Sequence, residues 1–91
     1  MTTQETPPPL IDFPCFFAIK VMGESNHVFV ETIKILVQTH VPEFSDDDID
    51  KRESSSGKYL SLTCNVWVTS QEHLDTVYRS VTSHPLVKYV L

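Results

Sequence analysis

Apolar and polar residues alternate strictly from Leu60 to Val68, with Trp67 as the one aromatic residue among the polar positions. Residues two apart in a strand share a face, so this alternation predicts a strand with one buried side. The Ser-Ser-Ser-Gly run before it is typical of a turn that leads into a strand. The predicted inward set is Leu60, Leu62, Cys64, Val66 and Val68, and the outward set is Ser61, Thr63, Asn65 and Trp67.

A second alternating stretch, residues 16–22, predicts another strand. Lys20 marks its exposed side, so Phe17, Ile19 and Val21 are expected to face the core.

The first helix is predicted over residues 26–39, where apolar residues recur every three or four positions. Ser25 or Asn26 is its expected N-cap, and Pro42 ends it because proline cannot continue a helix. The predicted buried stripe is Phe29, Ile33, Leu36 or Val37, and His40.

The second helix is predicted over residues 70–82, again from helical spacing of apolar residues. Thr69 and Glu72 have the spacing of a capping box at its start, and Pro85 follows its end. The predicted stripe is Leu74, Val77, Tyr78 and Val81.

Two weaker stretches predict the remaining strands. In residues 49–53, Ile49, Lys51 and Glu53 alternate with the charged Asp50 and Arg52, which favours an exposed edge strand. The acidic block from Asp46 to Asp50 overlaps its start and is expected to be a solvated loop. The last six residues predict a short final strand with Val87 and Tyr89 inward and Lys88 outward.

The predicted order is therefore strand, helix, strand, strand, helix, strand. Two right-handed β-α-β crossovers in this order generate the ferredoxin-like α+β fold, a four-stranded antiparallel sheet with both helices on one face. The two strongly alternating strands are expected in the centre, with the acidic strand at an edge. Residues 10–91 form a single domain in this interpretation, and the proline-rich residues 1–9 form a disordered tail.

Charge and composition narrow the possible functions. The formal net charge of −5 opposes phosphate backbones and anionic lipid, so we expect neither nucleic acid nor a membrane as a partner. No apolar run approaches the roughly 20 residues of a membrane helix. Residues 1–9 lack the features of a secretory signal. Two cysteines are too few for a disulfide framework, which favours a reduced, soluble, cytoplasmic protein.

Catalytic and metal-binding patterns are missing from the sequence. The four histidines form no ligand pair with a cysteine, and the acidic block lacks the spacing of a calcium loop. We find no nucleophile elbow, phosphate loop or dinucleotide fingerprint. An acylphosphatase-like site would need a paired arginine and asparagine, which Arg52 and Arg79 are not placed to supply. The sequence therefore predicts a protein that is not an enzyme and has no cofactor or metal.

Two groups of residues are candidates for binding. At the first strand–helix junction, a helix start lies beside a carboxylate, which favours an amine-bearing or neutral small molecule; a plain turn is the alternative interpretation. These residues are Gly23, Glu24, Ser25 and Asn26. The exposed side of the sheet offers one tryptophan among polar residues, which favours a protein partner over RNA. This interaction face is Lys20, Met22, Thr63, Asn65 and Trp67.

Several motifs resemble the YbeD-like family of small bacterial proteins. The most specific are Lys20-Val21-Met22-Gly23 and Ser55-Ser56-Gly57-Lys58-Tyr59, supported by Phe13-Pro14, Leu74–Tyr78 and Val87–Leu91. The resemblance begins at about residue 10, and the acidic stretch 44–50 and Trp67 depart from it. It implies a ferredoxin-like fold similar to ACT-type regulatory domains of amino-acid metabolic enzymes. It implies no established activity and no catalytic residues.

Two functions remain open at this point. The first is an ACT-like regulatory module that pairs through edge strands as a homodimer and binds a small-molecule effector around Gly23–Asn26. The second is a protein-interaction adaptor that uses the sheet face around Trp67 or the edge Leu86–Leu91.

Overall fold

The computed structural model describes residues 12–91, so the predicted tail lies outside the described residues. The elements follow the predicted order, with one added 3-10 turn at Asp46–Asp48. They are β1 (Cys15–Glu24), α1 (His27–His40), β2 (Ile49–Glu53), β3 (Tyr59–Val68), α2 (Gln71–Thr82) and β4 (Val87–Val90).

The four strands form one antiparallel sheet in the order β2-β3-β1-β4. The two strongly alternating strands are central, and β2 lies at an edge, as predicted. Cys64 of β3 is paired with Ile19 of β1 on one side and Ile49 of β2 on the other. This order and connection confirm the ferredoxin-like α+β fold.

Both helices pack on the same face of the sheet. The alternating apolar residues of β1 and β3 and the stripes of α1 and α2 meet in one cluster, to which the second helix contributes Leu74, Val77 and Val81. Ile33 and Val77 are fully buried there. Burying one such side chain contributes roughly 1.5–3 kcal/mol, which makes this cluster the main stabilising feature of the domain. Within residues 12–91, no helix packs on the opposite side of the sheet, which is called the open face below.

The helix starts are capped by side chains. Asn26 accepts a hydrogen bond from the Phe29 N–H at 2.9 Å, and Ser70 accepts one from the His73 N–H at 3.0 Å. The predicted capping box of Thr69 with Glu72 is wrong because Ser70 occupies the N-cap position. The Thr69 N–H instead donates to His73 Nδ1 at 3.0 Å.

The last strand departs from simple alternation. Met22 is paired with Tyr89, but the next residue of β1, Gly23, is paired with Val87, so Lys88 is an extra residue in β4. A bulge of this kind shifts the alternation by one position. Val87 and Val90 therefore both contact the core, and the prediction that Tyr89 points inward is wrong: it is 54% exposed.

The acidic region is more ordered than a solvated loop. Phe44 is buried, and its carbonyl oxygen accepts a hydrogen bond from Gln38 at 2.9 Å. Lys34 forms an ion pair with Asp46 at 3.1 Å, and the Ser45 N–H donates to the Asp48 carboxylate at 3.0 Å. The carboxylates of this segment thus begin a 3-10 turn that leads into β2.

Candidate functional site

The four residues predicted to meet a ligand lie at the turn between β1 and α1, and several of their polar groups are already hydrogen-bonded. The Ser25 N–H donates to the Lys58 carbonyl at 2.9 Å, and the Ser25 hydroxyl donates to Glu53 at 3.2 Å. The Asn26 side chain caps α1. These bonds hold the turn against the β2–β3 hairpin.

Gly23 has a packing role at this turn. A Cβ atom at this position would lie 2.6 Å from the Phe29 ring and 2.7 Å from the Leu86 carbonyl oxygen. The missing side chain lets β1 lie directly against the Phe29 ring of α1 and the backbone of Leu86, the residue before β4. Of the four predicted residues, Glu24 is the one that keeps an exposed charged group.

A cleft of about 200 Å³ opens beside this turn. Its lining residues, which we call the turn cleft, are Glu24, Asn26, Phe29, Pro85, Leu86 and Lys88. Glu24 and Lys88 carry opposite charges, and Phe29 and Leu86 give the cleft an apolar surface. Sequence reasoning missed Lys88 because the bulge in β4 depends on the pairing with β1.

The five residues of the predicted interaction face all project from the open face. Lys20 is paired with Thr63, and the neighbouring rows pair Ala18 with Asn65 and Phe16 with Trp67. The Phe16 and Trp67 rings meet edge to face with centroids 4.9 Å apart. Phe16 is 64% exposed and Trp67 is half-buried, so these two rings form a partly accessible aromatic patch at one end of the face.

A second aromatic group lies at the other end of the open face. Met22, Tyr59 and Tyr89 border two adjoining hollows of about 260 and 420 Å³, which we call the tyrosine groove. Sequence analysis missed Tyr59, although the alternation of β3 already puts it on the same face as Ser61. It missed Tyr89 because of the β4 bulge. The other residues of the groove are Lys20, Arg52, Glu53, Ser54, Leu60, Ser61, Lys88 and Leu91.

The two cysteines are free thiols on different parts of the sheet. Cys15 is paired with Val68, and Cys64 is paired with Ile19, so no disulfide joins them. Burial raises the pKa of Cys64 to about 12, which keeps it protonated and unreactive at neutral pH. Among residues 12–91, no three histidine, cysteine or acidic side chains come together as a metal site.

We expect a thiol reagent at pH 8 to modify the half-buried Cys15 and to leave Cys64 intact in the folded protein. With a pKa of about 12, only about one Cys64 thiol in 10,000 is ionised at that pH. Mass spectrometry should count one adduct on the native protein and two after unfolding in urea. A Cys15→Ser variant should give none while folded, and rapid native labelling of Cys64 would contradict its burial.

The same raised pKa gives a pH dependence of stability. The unfolded chain loses the Cys64 proton near the ordinary pKa of 9.0, whereas the folded chain keeps it up to about 12. Above pH 9.0 the Cys64 thiol ionises more readily in the unfolded chain, which favours unfolding. The free energy of unfolding is therefore unaffected by ionisation of Cys64 below pH 9.0 and decreases as the pH rises towards 12. Urea titrations between pH 9.0 and 12 measure this decrease in the free energy of unfolding, and the part that comes from Cys64 should be missing in a Cys64→Ala variant.

The fold and the surface together define a small ferredoxin-like α+β domain. It has one cleft beside the turn between β1 and α1, and it has an open face on the side of the sheet away from the helices. The chain belongs to the family described as protein of unknown function (DUF493), whose model matches residues 8–91. This confirms the resemblance to YbeD-like proteins. No helix within residues 12–91 is long and apolar enough to cross a membrane.

Relatives and a solved structure support this assignment. A UPF0250 protein of Janthinobacterium is 54% identical over 82 residues, which cover 90% of each chain. A UPF0250 protein of Neisseria gonorrhoeae is 45% identical over 91 residues and covers both chains completely. The solution structure of protein HP0495 from H. pylori matches with a TM-score of 0.77 and 18% identity over 98% of each chain, a likeness that shows the fold alone.

Proposed function

We propose that the protein is a non-catalytic regulatory module of the cytoplasm that binds a free α-amino acid in the turn cleft. The observation that carries the proposal is that Glu24 and Lys88, which have opposite charges, both line this cleft. An α-amino acid has the complementary charges: its ammonium suits Glu24 and its carboxylate suits Lys88. The proposed location suits the two free thiols, which the cytoplasm keeps reduced.

The size and lining of the cleft favour a small ligand. Its volume of about 200 Å³ is below the roughly 300–1,000 Å³ of sites that enclose drug-sized molecules. Phe29 and Leu86 supply an apolar surface for a short side chain. The YbeD-like resemblance implies a similarity to ACT-type regulatory domains, which agrees with an amino-acid effector and with a homodimer; both belong to this proposal.

The test is a thermal-shift screen of the whole chain against the individual amino acids. We expect one of them to raise the midpoint of unfolding, because a ligand that binds only the folded state stabilises it. Glu24→Gln should remove the shift, whereas Glu72→Gln removes an equal charge from the exposed start of α2 and should keep it. If no amino acid moves the midpoint, the proposal is wrong. Light scattering with and without the active compound then reports whether a dimer forms.

A protein-interaction adaptor is the second candidate, favoured by the Phe16–Trp67 patch, in which Phe16 is exposed. Aromatic side chains dominate the binding energy of many interfaces. Replacing Trp67 by alanine should then weaken co-purification of a partner without unfolding the domain. Tyr78→Ala, at an exposed aromatic position on α2, is the matched control. Equal recovery with wild type and Trp67→Ala would exclude this face.

A further inference from the structure

The tyrosine groove combines apolar walls with an accessible position on the open face. Met22 of β1 is opposite Ser61 in β3 on one side and Tyr89 in β4 on the other, so its side chain lies between those of β3 and β4. Tyr89 is 54% exposed and Tyr59 is 39% exposed, and both border the larger hollow with Met22. Two solvent-facing phenol rings around a methionine provide surfaces on which a planar group can stack.

Cationic side chains surround this apolar centre. Lys20 and Arg52 line the smaller hollow, and Lys88 lines the larger one. Within residues 12–91, the ion pair of the structure joins Lys34 to Asp46, which leaves these three cations without a carboxylate partner. The acidic residue of the groove, Glu53, accepts a hydrogen bond from Ser25.

Other acidic residues lie near the groove without lining it. Asp50 projects from the open face opposite Thr63, and Glu24 lies opposite Tyr59. The lining of the groove thus carries three cationic side chains and one carboxylate, on a chain whose formal net charge is −5.

From this arrangement we propose that the tyrosine groove binds a nucleoside monophosphate. The base stacks against Tyr89 and Tyr59 above Met22, and the phosphate lies against Arg52 and Lys20. Base stacking on an aromatic side chain contributes about 1–3 kcal/mol, and the arginine fork suits two phosphate oxygens at once. The adjoining hollows of about 420 and 260 Å³ match a ligand with a flat part and a charged part.

Charge decides between a single nucleotide and a nucleic-acid strand. A strand requires a row of cations along its backbone, and binding increases with each phosphate that is neutralised. Beyond Lys20, the middle of the open face carries the uncharged residues Thr63, Ala18 and Asn65. The Phe16–Trp67 patch that follows carries no cation either. A net charge of −5 also repels further phosphates. The surface thus has room and charge for one phosphate group.

This inference is independent of the proposed amino-acid site, which lies at the turn between β1 and α1. Lys88 borders both the turn cleft and the tyrosine groove, so it is left unchanged in the test. Arg52 and Tyr89 line the tyrosine groove but not the turn cleft. Both are exposed, so their substitution leaves the core intact.

The test is a titration of the isotopically labelled whole chain with AMP, GMP, CMP and UMP, followed by backbone amide NMR. We expect at least one nucleotide to shift the amides of Met22, Tyr59 and Tyr89. Arg52→Gln and Tyr89→Ala should each weaken the affinity about tenfold, a loss of about 1.4 kcal/mol. Arg79→Gln and Tyr78→Ala, on the exposed side of α2, are matched controls and should bind as wild type.

Three further ligands distinguish the sources of the signal. Adenosine and inorganic phosphate should each bind at least tenfold more weakly than AMP, since each has half of the recognised chemistry. Equal binding of phosphate alone would reduce the groove to a simple anion site and overturn the proposal. A single-stranded tetranucleotide that binds much more tightly than AMP would also overturn it, in favour of nucleic acid. Absence of shifts with every nucleotide would do the same, whatever the result at the turn cleft.

Discussion

Replacing Ile33 by alanine is expected to lower the free energy of unfolding by about 2–5 kcal/mol, the range for large-to-small changes in a closed core. Ile33 is fully buried in α1 and contacts the cluster between the helices and the sheet. Alanine removes apolar contacts and leaves a cavity that the packed strands cannot fill. Domains of this size have a total stability of about 5–15 kcal/mol, so the variant should unfold at much lower urea concentration.

Ile35 provides the matched control. It lies two residues further along the same helix, and its side chain is 60% exposed. Ile35→Ala makes the same chemical change with the same effect on helix propensity, and we expect its stability to differ by no more than about 0.5 kcal/mol. If the two variants unfold at the same urea concentration, the face of α1 that packs on the sheet has been assigned incorrectly.

Replacing Gly23 by alanine is expected to destabilise the domain by about 3 kcal/mol through overpacking. The new Cβ would lie 2.6 Å from the Phe29 ring and 2.7 Å from the Leu86 carbonyl oxygen, and the second contact is with backbone that β4 holds in place. Either α1 or the start of β4 must therefore move away from β1. Thermal and urea unfolding measure the loss, and the amides of Phe29 and Leu86 should shift in the NMR spectrum.

Gly57 is the control that distinguishes the effect of tight packing from the effect of backbone strain. Gly57 has φ +74°, and nothing lies within 4 Å of the Cβ that alanine would add there. Gly57→Ala should lose about 1 kcal/mol, because a left-handed backbone conformation is unfavourable for alanine. In the Gly23→Ala background, Phe29→Leu should recover part of the loss by removing one of the two contacts. Equal stability of the two glycine variants would show that Gly23 is not tightly enclosed.

Local sequence pattern was sufficient for much of the fold. Alternation along residues 60–68 identified β3 and its buried side, and helical spacing identified α1 with Ile33 at its centre. Asn26 was among the predicted N-caps, and the acidic β2 was expected at an edge. These predictions succeed because hydrophobic burial acts on each element separately, with a period set by its own backbone geometry.

The candidate binding surfaces were only partly predictable. The open-face residues Lys20, Met22 and Thr63 could be grouped from alternation and strand order. Tyr89 could not, because its direction depends on the extra residue that β4 accommodates against β1. The packing role of Gly23 was also hidden, since it depends on where Phe29 and Leu86 lie in space.

The sequence by itself thus determined the elements, the buried sides of β1, β3 and α1, and the ferredoxin-like order, since each follows from near-neighbour periodicity. Tertiary structure alone decided how charges and rings meet at the surface. It brought Glu24 of β1 and Lys88 of β4 to the same cleft, and it placed Tyr59 and Tyr89 around Met22. The physical reason is that such neighbours are set by strand register and by a single bulge, and one residue of shift moves a side chain to the other face of the sheet.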